Sequence, residues 1–155
     1  IDDKNDANYN LKDMLLDPII IKVPNKEKLS EKMLRKYITE ELRDIFLQLG
    51  SGFLYAGSEY KISYLDKNFY IDMLLFNTNL NCYIPVELKL NKTNYKDVSQ
   101  IKLYMNLVDK TLKKKHHNKT IGLIISKEND KFILQYVNDE GIYLITYELN
   151  KLIKI

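Results

Sequence analysis

The tightest constraint on the fold is the order in which hydrophobic periodicities succeed one another. Residues 30–50, SEKMLRKYITEELRDIFLQLG, set Leu34, Ile38, Leu42, Ile45 and Leu49 three or four residues apart, with Ser30 as N-cap and Gly50 as stop. That spacing predicts an amphipathic helix. Three strand-like runs follow, FLYAGSEYKISYL, FYIDMLLF and CYIPVELKL, separated by DKN and NTNLN, which read as the tight turns of an antiparallel meander. Helical spacing returns in YKDVSQIKLYMNLVDKTL through Val98, Ile101, Tyr104, Met105 and Val108. TIGLIIS, FILQYV and IYLITYEL read as further strands, the first apolar enough to be central. The predicted order is therefore α-β-β-β-α-β-β-β, an α/β fold in which helices cover a sheet.

A chain of 155 residues that is 45% hydrophobic can bury one core and has little room for two. Residues 1–27 read as a polar tail followed by a short apolar run between Pro18 and Pro24 that docks on the core, and residues 28–155 as the folded domain. Cys82 is the single cysteine, which excludes an intrachain disulfide and a Cys-rich zinc site and suits a reducing interior. No stretch reaches the ~18 uninterrupted apolar residues of a membrane span, and the opening IDDKNDANYN is acidic where a signal peptide is basic. A cytoplasmic location without a membrane partner is expected. The chain begins without Met, as expected of a segment of something longer. A net charge of +3 permits nucleic-acid binding without requiring it.

Chemistry concentrates in residues 71–92, IDMLLFNTNLNCYIPVELKLNK. Asp72 is flanked by Ile71, Met73, Leu74 and Leu75, where an unpaired carboxylate is costly, so a cationic partner should lie beside it. On the following strand Glu87 and Lys89 share one face by period-two alternation, and a turn near Asn79 brings Asp72 close to them. Two carboxylates and a lysine at a sheet edge make an oxygen-donor site for a hard divalent ion, with Lys89 placed to steer a water. A structural salt bridge between Lys89 and either carboxylate fits the same pattern.

Asp72 followed at a strand's length by Glu87-Leu88-Lys89 resembles the signature of the PDDEXK nuclease superfamily. The flanking text IFLQLGSGFLYAGSEYKI, FYIDMLLFN, YIPVELKL, SQIKLYMNLVD, TIGLIIS and YVNDEGIYLITYEL, with LLDP at Leu15–Pro18, is similar in order and spacing to the YhcG-type PDDEXK nuclease domain. The similarity extends over about residues 13 to 149. It implies a restriction-endonuclease-like fold: an α-β-β-β-α-β core with a mixed central sheet flanked by helices, plus extra C-terminal strands. It also implies a divalent-metal-dependent nuclease acting on DNA with Mg²⁺ or Mn²⁺, the alternative being a catalytically inactive nucleic-acid-binding or protein-interaction module of the same fold. Asp72, Glu87 and the Leu88 backbone carbonyl are then metal ligands and Lys89 the catalytic lysine. Gln100 and Tyr104 match the family's Gln-x-x-x-Tyr element, where an amide and a phenol on one helical face hold the lysine or a phosphate; an ordinary core aromatic fits equally. Glu31 matches the acidic residue of the first helix, and is also a first-turn carboxylate favoured by the helix dipole. A homodimer, and a separate targeting domain or subunit, are compatible partners.

Two departures from the family stand out. GSEYK places Ser58 and Glu59 where Arg-Gln is usual, so a carboxylate replaces an amide and either adds a metal ligand or repels a phosphate. The helical N-terminal domain of larger members is missing from this stretch. The densest basic run, DKTLKKKHHNKT, offers Lys113, Lys114 and Lys115 as phosphate contacts, or simply as a solvated loop. His116 and His117 are adjacent and face different ways, which argues against a metal pair.

Overall fold

The computed structural model describes residues 10–25, 28–137 and 141–152. Helix α1 (Leu11–Met14) is capped by Asn10 and leads into strand β1 (Ile19–Pro24). Helix α2 (Glu31–Leu49) begins where the Ser30 side chain accepts from the Met33 N–H and ends at Gly50, whose φ of 69° is a left-handed conformation that suits a residue without Cβ. Strands β2 (Phe53–Tyr64), β3 (Lys67–Asn77) and β4 (Cys82–Lys92) form the antiparallel meander. Helix α3 (Tyr95–Thr111), strand β5 (Gly122–Glu128), helix α4 (Lys131–Tyr136) and strand β6 (Ile142–Leu152) follow.

The strands make one six-stranded mixed sheet in the order β1-β6-β5-β4-β3-β2. Pairing is parallel from β4 through β5 and β6 to β1, and antiparallel within the meander. Each face carries its own core. Ile38, Leu42 and Phe46 of α2 pack with Met73, Val86 and Leu88 on one side, while Val98, Ile101 and Val108 of α3 pack with Ile71, Ile124 and Leu144 on the other. Strand β5 is covered on both sides, with Leu123, Ile124 and Ile125 at 0% exposure, as its unbroken apolar run requires. Gly122 lets α3 approach closely, since a Cβ there would lie 2.7 Å from Met105 Sδ and 2.8 Å from Ile101 Cγ1.

Three local expectations change. FILQYV is not a strand but contributes helix α4, started by Asp130, whose carboxylate accepts from the Phe132 and Ile133 N–H groups. A single strand, β6, therefore follows β5 at the C-terminal end of the described chain. The apolar run before Pro24 is β1, paired in parallel with β6 from Ile19↔Tyr147 to Pro24↔Leu152. The β2–β3 connection turns on Leu65 and Asp66, at φ 51° and 63°, one residue earlier than the DKN run implies.

Candidate active site

The β3–β4 ladder has its last pair at Met73↔Val86, and beyond it the two strands part. In the fork, the Leu88 N–H donates to Asp72 Oδ2 at 2.8 Å, so a side-chain carboxylate takes the place of a strand carbonyl. The Leu88 carbonyl accepts from Arg35 Nη1 of α2 at 3.0 Å. The same nitrogen stands 3.6 Å from Asp72 Oδ2. Sheet register thereby fixes where Asp72 points.

Glu87 lies beside Asp72 and shares a hydrogen bond with it; burial first, then the Asp72 charge and that hydrogen bond, push the Glu87 carboxyl up to about 8. Arg35 offsets only part of this. At neutral pH the pair therefore shares a proton where a divalent cation would otherwise balance two charges. Lys89 does not pair with either carboxylate. Its Nζ lies 3.7 Å from Asp97 Oδ1 in the first turn of α3, and the Asp97 side chain is 8% exposed. The second Asp97 oxygen accepts from the Asn94 N–H at 2.8 Å, completing a capping box. Tyr104 is hydrogen-bonded to Gln100, and burial together with the Glu87 and Asp72 charges raises its phenol to about 12, so it remains an O–H donor.

The structure thus gathers Asp72, Glu87, the Leu88 backbone, Lys89, Gln100 and Tyr104 at one end of the sheet. It does not bring Glu31 to them. That residue is exposed on the first turn of α2 and lines a separate hollow with Leu34, Leu90, Asn91, Tyr147 and Leu149, one helical turn (~6 Å) before Arg35. Lys113, Lys114 and Lys115 are also remote. Helix α3 starts at the fork and runs 17 residues, ~25 Å, to the other end of the sheet. There the loop is tied to the β3–β4 turn, with the Asn118 N–H donating to the Asn81 carbonyl at 2.8 Å.

Two residues of the site escape a reading of the sequence. Asp97 has a local signal, the Asn94-x-x-Asp97 spacing of a capping box. Arg35 has none, since its contact to Leu88 spans 53 residues. Arg35 also opens onto a cleft of ≈ 740 Å³ between α2 and β2, lined by Lys32, Lys36, Thr39, Glu40, Arg43, Tyr55, Ser58, Glu59 and Asp72 among others. Glu59 sits there at φ 46°, between the Ser58↔Met73 and Tyr60↔Ile71 pairs, across the ladder from Asp72. The Tyr55 and Ser58 hydroxyls are hydrogen-bonded on the same wall.

The donor set fits a hard divalent ion: two carboxylates and a main-chain carbonyl, all oxygen. Three protein oxygens would leave such an ion open positions for water or a phosphate oxygen; among the described residues no cluster of three His, Cys, Asp or Glu forms.

A profile of the YhcG PDDEXK nuclease domain matches residues 11–151. "Putative nuclease YhcG" of Escherichia coli (strain K12) is 29% identical over 113 residues, covering 72% of this chain and 30% of the relative. The chain thus spans under a third of the curated relative it matches. Two solved structures share the fold: a repair endonuclease from Pyrococcus abyssi (TM-score 0.53, 19% identity, 82% of this chain and 49% of that one), and EndoMS in a complex with double-stranded DNA (TM-score 0.51, 15% identity, 86% of this chain and 51% of that one).

Proposed function

Because the chain belongs to the YhcG PDDEXK nuclease domain family, we propose that it hydrolyses phosphodiester bonds of DNA at the β3–β4 fork, with Mg²⁺ or Mn²⁺ as cofactor. The observation that carries this reading is the fork itself: Asp72 on the Leu88 N–H with Glu87 beside it, the adjoining Leu88 carbonyl, and a lysine held by a different acid. Asp72, Glu87 and the Leu88 carbonyl would hold the ion, which supplies charge stabilisation for the scissile phosphate and lowers the pKa of water.

The remaining work falls to the chain itself. Asp97 anchors Lys89 so that its ammonium faces the fork, where it orients the attacking water or meets the charge that develops on phosphate. Gln100 and the un-ionised Tyr104 offer donors on the α3 side. Lys32, Arg35, Lys36 and Arg43 of α2 line the cleft that also reaches Asp72, a row of cations that suits backbone phosphates. Duplex DNA is the substrate class, in line with the structural relative solved on double-stranded DNA. One site per chain cuts one strand, so a double-strand break takes two copies, and target choice takes a further domain or subunit. The working location is the cytoplasm, and among the described residues no helix is long and apolar enough to cross a membrane.

Incubation with plasmid and linear duplex, in Mg²⁺, Mn²⁺ or EDTA, tests the reading. Cleavage should require the metal and fall by about a thousandfold in Asp72→Ala. Cleavage that survives Asp72→Ala would withdraw the site. A second reading, a silent DNA-binding module, is favoured by one observation, the arginine already seated on Asp72; binding without cleavage under every metal condition would select it.

A further inference from the structure

Two of the oxygens needed by the proposed metal site are already engaged by a cation of the chain. Arg35 Nη1 donates to the Leu88 carbonyl at 3.0 Å and stands 3.6 Å from Asp72 Oδ2. A hard ion would coordinate those same oxygens at ~2.1 to 2.5 Å, which leaves no room for a guanidinium nitrogen in front of them. Arg35 also has somewhere to go. Its side chain is 40% exposed and faces the ≈ 740 Å³ cleft, whose opposite wall carries the hydroxyls of Tyr55 and Ser58 and the Glu59 carboxylate.

We propose that Arg35 is a displaceable stand-in for the divalent ion, closing the Leu88 carbonyl and balancing Asp72 in the metal-free chain, and passing to the scissile DNA backbone when the ion takes its place. The inference rests on the nuclease reading above. Without a cation, the outward Leu88 carbonyl lacks its donor and Asp72 faces Glu87 with no positive charge between them. With the ion in place both needs are met, and the planar fork of the released guanidinium suits two phosphate oxygens at once. Displacement couples the two binding events: metal must compete with Arg35, and DNA gains a contact only after metal has bound.

The experiment is Mn²⁺ titration by calorimetry at neutral pH on the whole chain, wild type against Arg35→Met and Arg35→Lys, each first shown to be folded by circular dichroism. Removing the competitor should tighten Mn²⁺ binding about tenfold or more in Arg35→Met, the worth of a charge-assisted hydrogen bond. Arg35→Lys, which keeps a donor and a charge, should stay within about threefold of wild type. A second arm measures duplex affinity in a Lys89→Ala background, in which turnover is slow enough for binding to be read. There Mn²⁺ should strengthen DNA binding when Arg35 is present and do so at least about threefold less when it is Met. Equal or weaker Mn²⁺ binding by Arg35→Met, with wild type binding normally, overturns the stand-in and leaves the nuclease reading intact. Absence of Mn²⁺ binding by every variant overturns both.

Discussion

Replacing Glu87 by Gln tests the shared proton at the fork. In the metal-free chain Glu87 holds its proton up to about pH 8, whereas an unfolded Glu ionises near 4.5. Between those values the folded state binds a proton that the unfolded state lacks, so stability must fall as pH rises through the window and level off above it. A displacement from 4.5 to about 8 corresponds to ~5 kcal/mol at 1.36 kcal/mol per unit. The cleft beside the pair admits water, which reduces the observable term to ~2–3 kcal/mol. Glu87→Gln keeps a donor toward Asp72 but has no proton to lose, so its stability should be level across the window where wild type declines. The assay is urea unfolding in EDTA from about pH 4.5 to about 8 on both proteins, and for a chain of this size the difference equals roughly 4–12 °C in melting temperature. Parallel profiles for the two proteins would refute the claim that Asp72 and Glu87 share a proton.

Mn²⁺ binding should release close to one proton per ion near neutral pH, and bind more tightly as pH approaches 8, because the ion needs the ionised Glu87; calorimetry in buffers of different protonation enthalpy reads the number, and zero release contradicts the shared proton. Lys89→Ala should lower cleavage about 10²- to 10³-fold while DNA affinity changes less than about threefold. If affinity falls and turnover of the bound complex does not, Lys89 is a phosphate contact and not a catalytic residue. Neutralising Lys32, Lys36 and Arg43 should reduce the salt slope of DNA binding by about three, whereas neutralising Lys113, Lys114 and Lys115 at the far end of the sheet should change binding to a short duplex little. The reverse ranking would move the DNA track from α2 to the basic loop.

What the sequence reveals and what it hides follow the range of the interactions involved. Helix α2 is legible because its signals are local: Ser30 accepts from Met33, Gly50 adopts φ 69°, and Leu34, Ile38 and Leu42 repeat at four-residue spacing, although Phe46 and not Ile45 is the fully buried residue of the following turn. Asp72, Glu87 and Lys89 are legible as charges among apolar neighbours, and the structure brings them to one fork. FILQYV is ambiguous because six residues do not separate a period of 2 from one of 3.6; the deciding signal is the Asp130 cap just before it. The β2–β3 turn is hidden because Leu65 at φ 51° is not a residue that such turns favour. Strand β1 is hidden for another reason: its partner in β6 lies more than a hundred residues away, as in Ile19↔Tyr147. Arg35 is the extreme case. Nothing marks it among the other exposed cations of α2 until the rotation of the helix against the fork is known.

Asp97 ends one structural task and begins another with the same carboxylate, one oxygen on the Asn94 N–H and the other toward Lys89. Fraying of the first turn of α3 and loss of the lysine's anchor are therefore a single molecular event. The opening rate of a helix end, ordinarily of interest only for stability, becomes a clock for how often the site loses its lysine. Amide hydrogen exchange at Asp97 and Val98, whose N–H groups donate to the Asn94 carbonyl, would time that clock without any substrate present.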